Sequence, residues 1–181
     1  MKSEKLMIEE LYDEFRDDVY HFSLYFTNNK QEAEDITQET FIKVMKNIHQ
    51  LKDVSKKKTW LLSIAKNTAI DLKRKQKLIN FLPQLLKGNG HKSHCIATDE
   101  NRLINTENWR ELQNAILTLK LHYRSVVILR ALKELSVKET AEILGCTEGK
   151  VRVDFHRAIN QLKKELIINE GGDFHEESKS K

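Results

Sequence analysis

The sequence predicts an all-α protein: two small helical domains joined by a flexible linker, the C-terminal one a helix-turn-helix domain. Three observations carry this expectation. Pro occurs once and Gly six times in 181 residues, too few for the frequent turns of a β-sandwich. Apolar residues recur at helical spacing in two separate blocks. Between the blocks lies a polar, turn-rich stretch, GNGHKSHCIATDEN. The length suits one medium domain or two small ones, each with a modest core.

Residues 6–26 place Leu6, Ile8, Leu11, Phe15, Val19, Phe22 and Phe26 at largely helical spacing, and Asn28-Asn29 ends the run. A second helix follows, with Phe41, Val44, Met45 and Ile48 as its apolar stripe. Leu51 to Lys58 reads as a polar connection. A third helix is expected from about Thr59 to Lys77, with Trp60, Leu61, Ile64, Ala65, Ala69 and Leu72 on its apolar face. These helices make the first domain, residues 1–77. Residues 78–108 form the linker, whose apolar half around Pro83 is expected to form a short helix or to dock on a partner. The second domain, 109–168, opens with a helical pair, Trp109–Leu119 and Tyr123–Lys133. A polar tail, 169–181, is expected to be disordered.

Charge is segregated along the chain. Residues 1–40 hold eleven acidic and four basic side chains, whereas residues 56–77 hold eight basic and one acidic. The net charge of +4 hides this division. An anionic front segment suits a basic protein surface, and a cationic one suits a phosphate backbone. Two cysteines, Cys95 and Cys146, do not make a disulfide framework, and a reducing cytoplasm is the simplest setting. The start, MKSEKLMIEELYDEF, is acidic and lacks the apolar run of a signal peptide. No apolar run approaches the roughly 20 residues of a membrane helix, so no membrane insertion is expected.

The most informative segment is SVKETAEILGCTEGKVRVDFHRAINQL, residues 136–162. Ser136 and Glu139 have the spacing of a capping box. Ala141 is small where two helices must approach. Gly145 tolerates the left-handed turn conformation, Thr147 caps the next helix, and Val151 anchors it one turn in. Val151, Phe155, Ala158, Ile159, Leu162 and Leu166 share the inner face. Lys150, Arg152, His156 and Arg157 lie outward, as groups that reach base edges or phosphates in a major groove. An ordinary helical hairpin with a solvated basic face is the plainer reading. The joint match of spacing, caps and charge favours DNA binding.

With both blocks in view, the chain resembles the extracytoplasmic-function (ECF) type of RNA polymerase sigma factor, over about residues 8–77 and 109–166. LKELSVKETAEILGCTEGKVRVDFHRAINQLKKEL is similar to that family's −35-reading domain. AEDITQETFIKVMKNI (33–48) resembles its polymerase-binding helix, and KTWLLSIAKNTAIDLKRKQK (58–77) its −10-melting segment. The resemblance implies a protein that directs transcription initiation at chosen promoters, under stress and under an anti-sigma protein. It implies docking on a basic coiled coil of the largest subunit of core RNA polymerase through Asp35, Gln38, Glu39 and Phe41, although Phe41 also suits the core. An acidic first domain complements that partner. For −10 capture it implies Asn67 and Thr68 at a base-capturing loop, with Lys66, Lys73, Arg74 and Lys75 tracking the strand. Trp60 suits the core better than a base stack. For the −35 element it implies Thr147, Lys150, Arg152, His156 and Arg157.

One position departs from the family pattern. Asp154 stands where a basic residue is common. It is expected to pair with Lys150 or Arg157 on its own helix; repelling phosphate or accepting from a cytosine amino group are the alternatives. No cofactor, metal or enzymatic activity is expected. His91, His94 and Cys95 lack the paired spacing of a zinc site. Glu32, Asp35 and Glu39 share a helix face without a companion base or nucleophile, which leaves a metal-dependent nuclease as a weak rival. A stand-alone helix-turn-helix regulator is the stronger one, and it binds its operator as a dimer without polymerase.

Overall fold

A computed structural model describes residues 2–86 and 107–171, all of them in helices or the turns between. The expected linker lies outside the described residues over 87–106, together with His91, His94 and Cys95, and so does the tail over 172–181.

Helix α1 (Lys2–Thr27) and α2 (Lys30–Asn47) form an antiparallel pair that α3 (Lys57–Leu86) crosses. The α1–α2 break follows from side-chain chemistry. Asn28 takes φ 50°, a left-handed value that Asn tolerates well. Asn29 then caps α2, its side-chain oxygen accepting from the Glu32 amide at 3.1 Å. Leu11, Phe15, Val19, Phe22 and Phe26 of α1 meet Ile36, Phe41 and Val44 of α2 and Leu61, Leu62, Ala65 and Ala69 of α3. This is the apolar face that the spacing predicts, with two corrections. Leu6, near the start of α1, is 58% exposed. Met45 is 61% exposed. It sits one residue past Val44, about 100° round the helix from it, and so leaves the core face.

Two boundaries also differ from expectation. The connection after α2 is not irregular: Ile48–Gln50 and Val54–Lys56 are 3-10 turns, the second capped by Asp53 on the Ser55 amide. Helix α3 does not stop at Lys77 but runs to Leu86 through Pro83. No glycine occurs before Gly88 to end it, and Pro83, which has no N–H to donate, stands three residues from its last residue.

In the second half, α4 (Glu107–Thr118) and α5 (Leu121–Val127) pack on α7 (Glu148–Gly171). The expected helix Tyr123–Lys133 is α5 continued by a π-helical turn, Ile128–Leu132. Ala115, Ile116, Leu119, Val127, Ala158 and Leu162 make this core. Ile128, Leu129 and Leu135, with Ile143 of α6 (Val137–Leu144), face the other way and join the core of the first domain. The two domains therefore share apolar surface, where the sequence suggests two bodies connected only by a linker.

Candidate protein and nucleic-acid interfaces

Helix α2 presents Asp35, Gln38 and Glu39 to solvent. Phe41, predicted with them, is 7% exposed and meets the Tyr12 ring edge-on at 4.9 Å between centroids. It therefore shapes the surface from beneath. Beside it runs a groove of about 1080 Å³ between α1 and α2, lined by the apolar Tyr12, Phe41, Ile42 and Met45, by the carboxylates of Glu9, Asp13, Asp17 and Glu34, and by Arg16 and Lys30. Ile42, outside the predicted stripe, and Met45, placed within it, are both exposed apolar side chains. Apolar side chains among an excess of carboxylates suit a basic amphipathic partner.

On α3 the predicted −10 residues divide. Asn67 and Thr68 do not lie in a loop; both are helical. Asn67 is exposed, and Arg74, two turns on, is exposed on the same face. Lys75 is exposed too. Thr68 is 6% exposed, donating to the Ile64 carbonyl at 2.9 Å and accepting from Lys43 Nζ at 3.1 Å. Lys73 is bound by Glu32, which also accepts from Gln76 Nε2 at 3.0 Å. Trp60 packs half-buried against the core. Lys66 is half-buried, burial pushing its ammonium down, with the Cys146 thiol in electrostatic reach.

The helix-turn-helix is assembled as its spacing predicts. Ser136 Oγ accepts from the Glu139 amide at 3.1 Å, and Glu139 Oε2 accepts from the Ser136 amide at 2.7 Å. Gly145 takes φ 64°, and the Cys146 amide donates to the Ala141 carbonyl at 3.1 Å. Thr147 Oγ1 accepts from the Lys150 amide at 3.2 Å, and Val151 is fully buried. Along α7, Arg152, His156 and Arg157 are exposed. Arg152 pairs with Glu148 at 2.9 Å across an open face, an interaction weak enough to yield to DNA. Asp154 is 3% exposed and Lys150 pairs with it; Arg157 does not. His122 of α5 joins the pair, which spacing along α7 had no means of revealing.

Two family descriptions match the chain in this order: sigma-70 region 2 over residues 11–79, and sigma-70 region 4 over residues 109–162. Together they span most of the sequence. The chain belongs to the sigma-70 family and is an ECF RNA polymerase sigma factor. Among its relatives is the ECF RNA polymerase sigma factor SigX of Bacillus subtilis (strain 168). SigX is 35% identical over 163 residues, which cover 87% of this chain and 82% of SigX. SigW of the same organism is 33% identical over 172 residues, covering 91% of each. The fold is similar to the sigma factor RpoE in its co-crystal structure with the anti-sigma factor NepR from Bartonella quintana. That match has TM-score 0.70 and 22% identity, and covers 93% of this chain and 99% of the other. CnrH, solved with the cytosolic domain of CnrY, matches with TM-score 0.64 and 18% identity over 91% of this chain and 90% of CnrH.

In this sigma factor, region 4 packs on α1 and α3 of region 2 and leaves Asp35, Gln38 and Glu39 of α2 exposed. Arg124 of α5 donates through Nη1 to the Phe26 carbonyl at 2.9 Å, with its guanidinium over the Phe26 ring. Asp18 of α1 binds Lys133 and Lys58; burial alone would push its carboxyl up, but these bonds outweigh burial and hold it below the ordinary value. Lys56 reaches Glu142 at 2.8 Å, and Tyr25 meets Trp109 edge-on at 5.9 Å. Among the described residues no group of His, Cys, Asp or Glu is placed to hold a metal, and the Glu32 carboxylate is engaged by Lys73 and Gln76 of α3. No described helix is long and apolar enough to cross a membrane.

Proposed function

We propose that the sigma factor divides its work between these surfaces. Region 2, within residues 1–77, docks on a basic coiled coil of the largest subunit of core polymerase. Asp35, Gln38 and Glu39 carry that contact, with Ile42 and Met45 supplying apolar area. The exposed face of α3, with Asn67, Arg74, Lys75 and the half-covered Lys66, takes the −10 element. Thr68 and Lys73 act from behind it, one bracing α2 and the other fixing α3 to Glu32. Region 4, within 109–168, reads the −35 element as duplex through Arg152, His156 and Arg157, and the segment between α3 and α4 joins the two. Catalysis belongs to the polymerase; this chain, a cytoplasmic protein, supplies recognition. Control by an anti-sigma protein is part of the reading, supported by the NepR and CnrY complexes of the two similar folds.

The observation that carries the reading is the helix-turn-helix, whose caps, left-handed Gly145 and buried Val151 set α7 with three basic side chains outward. Arg152→Ala should weaken holoenzyme binding to a −35-containing fragment by about 1–3 kcal/mol if Arg152 reads a base. Titration of labelled promoter DNA checks this, and an unchanged footprint would remove Arg152 from the interface.

A further inference from the structure

Asp154 is the buried carboxylate of the DNA-reading helix. Its Oδ2 accepts from Lys150 Nζ at 2.7 Å on α7 and from His122 Nε2 at 2.7 Å on α5. The Asp154 side chain is 4% exposed, whereas that of Lys150 is 53% exposed. The asymmetry matters. An ion pair open to water on both sides exchanges freely and contributes little. Asp154 is covered in part by Lys150 and His122 themselves, so releasing Lys150 takes away one of its two charge-assisted hydrogen bonds and leaves the carboxylate on His122 alone. Burial alone would push the Asp154 carboxyl up; the bonds from Lys150 and His122 outweigh it and keep it ionised at neutral pH.

Resting on the assignment of α7 to the −35 duplex, we propose that Asp154 is a positioning residue that withholds Lys150 from the phosphate backbone and ties the reading helix to α5 through His122. The consequence is selectivity. A lysine on phosphate adds affinity for any sequence, because it releases counterions wherever it binds. Base contacts, together with the shape of the duplex, distinguish one element from another. With Lys150 held back, the duplex meets Arg152, His156 and Arg157, and the sequence-independent share of binding falls by one cation. A basic residue at position 154 would do the opposite, adding its own charge and freeing Lys150.

The test is the salt dependence of holoenzyme binding to a promoter fragment and to the same fragment with a scrambled −35 element. Each phosphate contact contributes about 0.9 to the slope of log K against log[salt]. Lys150→Ala should leave the slope where it is. Asp154→Ala should steepen it by about 0.9 and lower the ratio of promoter to scrambled affinity, and the double substitution should return the slope to that of the unmodified chain. Asp154→Asn keeps both hydrogen bonds and serves where the alanine variant fails to capture polymerase; it should steepen the slope by less. A slope lowered by Lys150→Ala alone, or unmoved by both Asp154 substitutions, overturns the proposal. Unchanged −35 binding in Arg152→Ala would instead undo the assignment of α7 itself.

Discussion

Arg124→Ala should cost the folded chain about 3 kcal/mol or more, since hydrogen bonds to a charged group are worth about 1.5–3 kcal/mol each. Arg124 is 7% exposed. Its Nη1 serves the Phe26 carbonyl at the end of α1, while Nη2 serves the carbonyls of Leu117 and Leu119 at the end of α4. Alanine would leave these acceptors without their donor and open a cavity under the Phe26 ring. For a chain of this length the loss is roughly 6–12 °C in Tm. Lysine should not rescue it, because a single ammonium lacks the planar fork that spans both helix ends. Urea or thermal unfolding reads the effect directly, and a loss under about 1 kcal/mol would contradict the role given to Arg124. Because Arg124 belongs to region 4 and Phe26 to region 2, the variant also reports on how firmly the halves hold each other.

The second large effect is on polymerase capture. Asp35→Ala with Gln38→Ala should weaken binding to core enzyme by about 2 kcal/mol or more, roughly 30-fold. Both side chains are exposed on the middle of α2, and alanine is the best helix former, so helicity should not fall. Competition against a labelled sigma factor for core polymerase gives the affinity, and circular dichroism gives the fold. Wild-type affinity in the double variant would place the docking surface elsewhere. Met45→Ala should act in the same direction with smaller effect, because it removes apolar area from the adjoining groove and no charge.

What the sequence made legible follows the range of the forces involved. The capping box at Ser136 and Glu139, the turn at Gly145 and the cap at Thr147 are interactions over three or four residues, and each is present as its spacing predicts. The apolar stripe of α1 is equally local in origin. Contacts between distant residues are another matter. Lys73 looks like a strand-tracking cation until Glu32, 41 positions earlier, is seen to hold it. Thr68 looks like a base-facing hydroxyl until α2 brings Lys43 to it. Asp154 announces itself as a departure from the family pattern, and its partner Lys150 is readable at four residues' distance. His122, 32 residues away, is not. The shared core has the same cause. Ile128, Leu129 and Ile143 read as residues of their own domain, because nothing in their spacing distinguishes a face turned to α7 from one turned to α1 and α3.

The central claim is that this chain, added to core RNA polymerase, selects where transcription starts. Run-off transcription with purified core enzyme on a library of promoter fragments tests it most directly. Discrete transcripts from a subset of fragments, dependent on the added chain and lost with Asp35→Ala/Gln38→Ala, are the expected result. Transcripts that are the same with and without the chain, from a protein that elutes apart from core enzyme in gel filtration, would contradict it.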